Sequence, residues 1–596
     1  QRTFVDWTLR PRLLATRGVA KVAVFGGEVR QLQVLVRPDR LRRYGLGLQD
    51  VVEAASHATG VRGAGVLDDL NQRIVVTTEG QLVTPEALGR SLLQATPGGA
   101  VLRLQDVATV QEGAATKFGD ATIDGRPGIV VVVSGQLGSN TKEVATAVEG
   151  ALANLASSIR SAGLTLHPDV FRPAVFIDVA VRNITSALLV GGVLVAAVLL
   201  LFLFDLRAAA ISLAAIPLSL LTAIIVLDRF GFSLNTLTLG GLAIALGEVV
   251  DDAIIDVENI ARRLRQNHAL PVPRPAATVV LDASLEVRHS VVYATFVVAL
   301  VFLPVLTLSG VQGALFRPLA IAYILATLAS LLVALTVTPA LTLLLLARRR
   351  RTAHESAVLR ALRAGFDRLL RRVLDHHRLI LAATALVCAG AVLVLPLFRS
   401  AFLPAFREGH YVVHMAAVPG ASLEESVRLG RMVTAAIRRD PRVLSVAQRV
   451  GRAELSEDTW GTHYSEIEVE LKPLQGEEAR SVEDSLRAHL RGFPGVSFAI
   501  RGFLAERIEE TLTGSTAEVV IRLFGDDLDS LDLAARRVAA LAREVPGGID
   551  VQYDAPPVVP EATVRLHPDA IARAGLADDE VLRAVETATR GARVGE

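Results

Sequence analysis

The stretch from Asn235 to Arg265, NTLTLGGLAIALGEVVDDAIIDVENIARRLR, sets the strongest limit on what this chain can become. It opens as an apolar segment long enough to cross a bilayer, and Glu248, Asp251 and Asp252 then stand inside it. A carboxylate at membrane depth costs at least about 2.5–3.5 kcal/mol. With about 100° between successive helical residues, the three acids fall within roughly 100° of one another. One helix face therefore carries all three, and that face has to meet protein or water rather than lipid. Intramembrane acids of this kind mark an ion or proton pathway. The competing reading ends the helix at Gly247 and leaves the acids among headgroups. Against it, Ala253, Ile254 and Ile255 continue the apolar run before the basic cluster Arg262, Arg263 and Arg265.

A chain of 596 residues exceeds what one core can hold. It is 51% apolar and 21% charged, with the two segregated along the sequence, which points to a membrane protein with large soluble parts. The net charge of +1 implies no nucleic-acid partner. The single cysteine, Cys388, lies in an apolar segment and precludes an intrachain disulfide. The opening QRTFVDWTLRPRL has no signal-peptide character and reads as the interior of a larger domain.

Residues 1–183 read as α+β. Strands are expected at Val22–Phe25, Gln33–Val36, Arg73–Thr77, Gly128–Val133 and Leu164–His167, and helices at Leu48–Ala58 and Thr141–Ala162, an alternation that suggests βαβ units. Six apolar segments follow: Ile184–Phe204, Ala208–Leu227, the acidic Leu234–Ile255, Val291–Leu308, Leu319–Leu346 and Leu379–Phe398. Six crossings return the chain to its starting side. The connections 205–207, 258–290 and 347–378 hold 16 arginines and no lysine, while the opposite short loops hold only Arg229 and Arg317. The arginine-rich loops are therefore cytoplasmic and both soluble regions lie outside. Within 347–378, Leu359, Leu362, Phe366, Leu369, Leu370 and Val373 form an apolar stripe between arginines. That pattern fits a helix lying on the cytoplasmic membrane surface, or a plain soluble amphipathic helix. Residues 399–596 are again α+β, with helices expected at Ser422–Arg439 and Ser530–Arg543 and strands at Tyr411–Ala417, Tyr464–Leu471 and Ala517–Phe524.

An internal repeat links the two soluble regions. VRPDRLRRYGLGLQDVVEAASHATGVRGAG (36–65) and LHPDAIARAGLADDEVLRAVETATRGARVG (566–595) align without gaps. Pro38/Pro568, Asp39/Asp569, Gly45/Gly575, Leu46/Leu576, Val51/Val581, Ala54/Ala584, Ala58/Ala588 and Thr59/Thr589 coincide. The expectation is one soluble–membrane unit plus the opening of a second copy. On that reading the sequence is a fragment lacking the start of its first soluble domain and a second membrane half.

The acidic helix resembles the fourth transmembrane helix of resistance–nodulation–division (RND) efflux permeases, paired aspartates included. LFRPLAI (315–321), LVALTVTPAL (332–341) and FLPAFREG (402–409) resemble other landmarks of that family. FIDVAVRNITSAL (176–188), DASLEVRHSV (282–291) and LAERIEETLTG (504–514) leading to IRLFGDDLDSL (521–531) are similar to its heavy-metal efflux branch, of CusA/CzcA type. The paired aspartate is shared with the drug-exporting, AcrB-like branch. The resemblance implies an α+β membrane protein: a transmembrane helix bundle, periplasmic βαβ porter and docking subdomains, and an internal two-fold repeat. Residues 1–31 and 116–183 would be porter subdomains and 32–115 a docking subdomain. Residues 184–346 would hold five transmembrane helices, 347–378 the interfacial helix and 379–398 a further span. Residues 399–560 would be the second porter pair and 561–596 the start of the second docking subdomain. Asp251 and Asp252 would relay protons, with their partner, often a lysine, on a helix of the second half. Glu248 stands at a position that is usually apolar. The resemblance also implies a homotrimer in the bacterial inner membrane, with no cofactor, driven by the proton motive force and working with a periplasmic adaptor and an outer-membrane channel.

The cargo is less legible. Cu(I) and Ag(I) favour thioether or thiolate ligands. Two methionines, Met415 and Met432, and one membrane cysteine are too few for a methionine relay. Where copper-exporting relatives put site methionines, this chain has His414 or Met415, and Glu510. Zn(II), Co(II) or Ni(II) accept histidine and carboxylate. The candidates are Glu408, His410, His414, His463, Glu466, Glu509 and Glu510. On a strand, His410 and His414 would share a face about 13 Å apart, too far to hold one ion, and solvated surface residues explain the set as well. Export of hydrophobic drugs and a protein-export accessory role are the rival functions. An enzyme has little support, since there is no phosphate loop or nucleophile elbow, and SGQLGSN (134–140) is a turn.

Overall fold

The computed structural model describes residues 1–59, 65–76, 82–95, 101–168, 170–203, 205–347, 357–397, 409–456, 459–474, 478–515, 517, 519–553 and 559–595. The chain divides into two compact units, Gln1–Arg172 with Phe406–Glu596, and Pro173–Ala405.

The first stretch of the ectodomain unit supplies β1 (Val19–Phe25), β2 (Arg30–Val36), α1 (Leu48–Thr59), β3 (Ala108–Ala114), β4 (Gly119–Ile123), β5 (Val130–Gly135) and α2 (Thr141–Ser161). β1 pairs antiparallel with β5, and their inner residues Val19, Val22 and Val24 pack with Val144, Val148 and Leu152 of α2. β2 pairs antiparallel with β3 and shares a separate core with α1, built on Leu41, Val51, Ala55, Leu104 and Val107. Each small sheet thus buries its apolar face under a helix of matching period.

The membrane unit is helical. Its elements are α3 (Ala174–Leu203), α4 (Leu206–Arg229), α5 (Thr236–His268), α6 (Ala276–Leu306), α7 (Gly310–Leu346), α8 (Ala357–Asp375) and α9 (His377–Val394). Five described helices are long and apolar enough to cross a membrane: α3, α4, α6, α7 and α9. The sixth expected span, in α5, does not meet that measure of apolarity because its acids and arginines stand within the helix. α5 nevertheless runs unbroken for 33 residues, about 50 Å at 1.5 Å per residue. The side chain of Asn235 caps its start by accepting from the amides of Leu237 and Thr238. The reading that ends this helix at Gly247 is therefore wrong. α3 and α6 begin ten and fifteen residues earlier than the hydropathy limits, because polar helical turns precede the apolar runs. In α8 the stripe of Leu362, Phe366, Leu369 and Leu370 is exposed, and none of the side chains of α9 is buried.

The rest of the ectodomain unit contains β6 (His410–Ala416), α10 (Leu423–Ile437), β7 (Val443–Gly451), β8 (Tyr464–Leu471), α11 (Glu478–Leu490), β9 (Ser497–Gly502), α12 (Phe503–Thr513), α13 (Leu528–Glu544) and α14 (Asp578–Arg590). The strands stand in the order β9-β6-β8-β7-β4, with the two-residue strand Arg126–Pro127 at the end. Both β6 and β7 run antiparallel to β8, so they are parallel to each other and joined through α10. β8 and β9 are related in the same way through α11. Two split βαβ arrangements thus form here, each with an antiparallel strand inserted, whereas the described strands of residues 1–183, where βαβ units were expected, pair with one another only antiparallel. One sheet face, with Tyr411, Val413, Met415, Ile467, Val469 and Ile500, is sealed by Val433 and Ile437 of α10 and by Val482, Leu486 and Leu490 of α11.

The repeat has matching structure. Short helices Pro38–Tyr44 and Pro568–Arg573 are each followed by a left-handed glycine, Gly45 at φ 67° and Gly575 at φ 71°, and then by α1 and α14. Only glycine takes that turn without strain. Two expected strands do not form. Leu164–His167 is irregular, and so are the described residues of Ala517–Phe524, which leave Val519, Ile521 and Phe524 exposed. Their alternation suits a strand, but among the described residues they join none of the sheets. Arg73–Thr77 is realised as a strand at Gln72–Val75, with Thr77 outside the described residues.

Small residues set the closeness of α5 and α7. A Cβ on Gly241 would stand 2.4 Å from the backbone oxygen of Leu319, whereas one on Gly240 would meet nothing within 4 Å. Gly241→Val should therefore cost about 1–3 kcal/mol by overpacking, read as a lower unfolding temperature in detergent. Gly240→Ala should leave that temperature unchanged or slightly raised.

Candidate functional site

The membrane bundle encloses acids on α5. Gly241 meets Leu319, and Asp252 meets Ser330, at the same offset of 78 residues, so α5 and α7 run parallel in close register. The interface is lined by Ala245, Ala253, Ala322, Ala326 and Ala329, small residues that let two helix backbones approach. Ser330 lies far from both ends of the uncharged run Leu319–Leu346, which fixes the depth of its partner. Asp252 is 6% exposed, and the Ser330 hydroxyl donates to its Oδ2 at 3.1 Å.

The three acids named from sequence are not equivalent. Asp252 is buried, Glu248 is half-buried and Asp251 is exposed, on the side of α5 that the other described helices leave uncovered. One buried acid was missed. Asp256 is 4% exposed and stands one turn beyond Asp252, sharing a hydrogen bond with Ser284 of α6. Its spacing, i+4 from Asp252, was a readable signal, but the apolar segment was closed at Ile255. Further along, the Asn259 amide donates to the backbone oxygen of Ala283, and Arg263 pairs with Glu286.

The ectodomain candidates separate by sheet face. Alternation puts His410 and His414 on one side of β6 and Met415 on the other, inside the apolar core. Met415 is thereby removed as a ligand. Both histidines are buried, which corrects the expectation of solvated side chains. His410 Nε2 lies 2.6 Å from Glu468 Oε2, and its ring packs 4.8 Å from that of Phe171. Arg449 of β7 bridges Glu466 at 2.5 Å and Glu468 at 3.0 Å. His414 bonds the Tyr464 hydroxyl through Nδ1 at 2.7 Å and Glu506 through Nε2 at 3.0 Å. Glu506 was missed by the sequence reading, which named Glu509 and Glu510 on the same helix. Glu510 is exposed and pairs with Arg507, Glu509 is half-buried, and His463 uses its backbone oxygen to accept from Ala417. Glu408 lies outside the described residues.

Burial by itself would lower the His414 pKa. The hydrogen bond to Glu506, with the negative field of Glu506, Glu466 and Glu468, outweighs it and raises the value above that of ordinary histidine. Burial of Glu468 acts upward, but His410 and Arg449 hold its pKa below the usual carboxylate range. Each histidine is thus committed to its own carboxylate. Among the described residues, no three of His, Cys, Asp and Glu stand where they could share one ion.

The raised His414 value fixes a sign. Its contribution to stability is complete below the unfolded imidazole pKa near about 6.5 and is lost as pH rises through the folded value. Wild type should therefore lose more unfolding temperature between mildly acid and alkaline pH than His414→Gln does. Glu506→Ala, which leaves a buried imidazole without its acceptor, should cost about 1–3 kcal/mol in denaturant unfolding.

The model of the AcrB/AcrD/AcrF family matches residues 1–596. Among curated relatives, protein HelA of Legionella pneumophila is 30% identical over 605 residues, covering 100% of this chain and 57% of that protein. Cobalt-zinc-cadmium resistance protein CzcA of Cupriavidus metallidurans is 28% identical over 600 residues, covering 99% and 56%. Cation efflux system protein CusA of Escherichia coli K12 is 30% identical over 607 residues, covering 100% and 58%. A crystal structure of a heavy metal efflux pump superposes with a TM-score of 0.84 at 26% identity, covering 100% of this chain and 57% of that one. The chain spans a little over half the length of the relatives it matches. With all of its residues inside the family match, and a fold shared with a heavy-metal pump, the chain belongs to the AcrB/AcrD/AcrF family of RND permeases, on its heavy-metal side.

Proposed function

We propose that this chain works as the permease of a proton-driven heavy-metal exporter in the bacterial inner membrane, with its ectodomain in the periplasm. The observation that carries the reading is Asp252, buried at depth between parallel helices with one hydroxyl as its described hydrogen-bond partner. A buried charge with one hydroxyl as its described partner is costly, so taking up and losing a proton changes which helix packing is favoured. Glu248 and Asp251, on the uncovered side of α5, would exchange protons and meet a cation from a second membrane bundle. The shift would be transmitted to the porter clefts, which we assign to 1–31, 116–183 and 399–560, with 32–115 and 561–596 as docking subdomains. The named relatives support a heavy-metal cargo, and the family is one of transporters rather than enzymes.

A divalent ion fits this chain better than Cu(I) or Ag(I), since Met415 is spent in the core and Met432 lies on an exposed helix face. The assembly we propose is a homotrimer with a periplasmic adaptor and an outer-membrane channel. A second reading, export of hydrophobic or amphiphilic drugs, draws on the small pocket lined by Phe25, Arg449, Gly451, Trp460, Tyr464 and Glu466.

A growth-inhibition panel of Zn(II), Co(II), Ni(II), Cd(II), Cu(I), Ag(I) and hydrophobic drugs, with and without the gene in its native context, tests the cargo. Protection confined to divalent metals is expected, and protection confined to drugs would favour the second reading. Asp251→Asn and Asp252→Asn should each reduce export to background. Undiminished export in both would remove the acids from the mechanism.

A further inference from the structure

Asp256 is not explained by the reading above. Its Oδ2 is buried and makes no hydrogen bond among the described residues, although its other contacts include Ser284. A buried carboxylate oxygen left without a donor costs about 1–3 kcal/mol or more, and an alanine or serine here would avoid that cost. Asp252, Asp256, Ser284 and Arg288 line one small cavity between α5, α6 and α7, with room for about one water molecule. Two acids at i and i+4 lie on one helix face with Cβ atoms roughly 6 Å apart, a spacing that one water can bridge.

The surroundings give this cavity a direction. Among the described residues, the charged or titratable groups that line this cavity with Asp256 are Asp252, from its own helix, and Arg288, from α6. α7 brings only Ala334 and Leu335, and α4 brings Ala208, Ile211 and Ser212 to the same stretch of α5. Arg288 is exposed and belongs to the arginine-rich connection that the charge pattern puts on the cytoplasmic side. Asp252 and Asp256 thus stand in succession along α5 toward its arginine-rich end, with Arg288 of α6 lining the same cavity.

We propose that Asp256 is a second proton-carrying station, through which the proton taken up by Asp252 leaves toward the cytoplasm. In this step the carboxylic acid of Asp252 gives its proton, directly or through one water, to the carboxylate of Asp256. Asp252 becomes the carboxylate and Asp256 the acid. Asp256 then loses the proton to cytoplasmic water, and Arg288 stabilises the anion left behind. No oxidant, cofactor or further reactant is involved. The inference rests on the proton-driven reading and adds to it a residue and a route.

The test uses the complete gene product in membranes and in proteoliposomes. Dicyclohexylcarbodiimide attacks protonated carboxyls in apolar surroundings, and mass spectrometry of the peptide that contains Asp256 locates the adduct. The expected result is labelling of Asp256 at low pH that disappears as pH rises. Asp256→Asn, which keeps the shape and one hydrogen-bond acceptor, should lower metal-driven proton movement about tenfold or more. Asp256→Glu should restore it with a displaced pH profile, which a packing role would not produce. The inference is overturned if Asp256 stays unlabelled at every pH at which Asp252 is labelled, a measurement on wild type that holds even where a variant does not fold. It is equally overturned if Asp256→Asn moves protons at the wild-type rate with the wild-type pH profile. Should those results come with Asp252→Asn inactive, this inference falls and the proton-driven reading stands. Should Asp251→Asn and Asp252→Asn both export normally, the underlying reading falls with it.

Discussion

Holding a carboxylate away from water inside an apolar bundle is the constraint on which the membrane unit depends. The Asp252 position is tolerable only if helices surround it and no lipid reaches it. Enclosure requires α5 and α7 to approach closely, and Gly241, Ala245, Ala322, Ala326 and Ala329 provide that closeness. The register that Gly241 sets against Leu319 is the register that delivers Ser330 to Asp252. A bulkier residue eleven positions upstream would thus disturb the acid without touching it. Packing and chemistry on this helix pair are one problem, solved by the same row of small side chains.

The ectodomain solves the opposite problem. Its sheet has one face of aliphatic residues under two helices and one face of histidine, glutamate and arginine. Three glutamates on alternate positions of β8 would repel one another if buried alone. Arg449 bridges two of them, His410 takes the second contact to Glu468, and His414 turns to Glu506 on α12. These groups find partners on the sheet or on α12, Glu470 accepting from the Ser445 hydroxyl, so this face has a structural account before any cargo is invoked.

Much of this was legible in the sequence, for reasons that can be named. The apolar spans and the strands Tyr411–Ala417 and Tyr464–Leu471 depend on local period, and local period is visible in one chain. The repeat was legible because a proline-led turn and a left-handed glycine recur together at 38–45 and 568–575. What was missed depends on partners distant in sequence. Val443–Gly451 is a strand because β8 and β4 flank it, whereas Ala517–Phe524 joins no sheet among the described residues. Glu506 was passed over for Glu509 and Glu510 because nothing in LAERIEETLTG tells which carboxylate faces β6. Asp256 was passed over because a hydropathy boundary was drawn at the residue before it, although helical spacing put it on the face of Asp252.

The two polar sites therefore differ in a way that composition hides. Both gather buried acids, and both avoid open water. On the sheet, His410, His414 and Glu468 each have opposite charge or a hydroxyl within hydrogen-bond reach. A network in which most groups are paired, Arg501 Nε being a buried exception on the same face, rigidifies its surroundings and resists change. On α5, Asp252 has one hydroxyl, and Asp256, which lines a small cavity, keeps a buried oxygen without a described donor. Incomplete satisfaction is expensive for a scaffold, but a proton carrier needs it, since a carboxylate locked by several donors would not give up its place to a proton. The unbalanced site, rather than the one richer in charged residues, is where a change in protonation would alter how the helices pack.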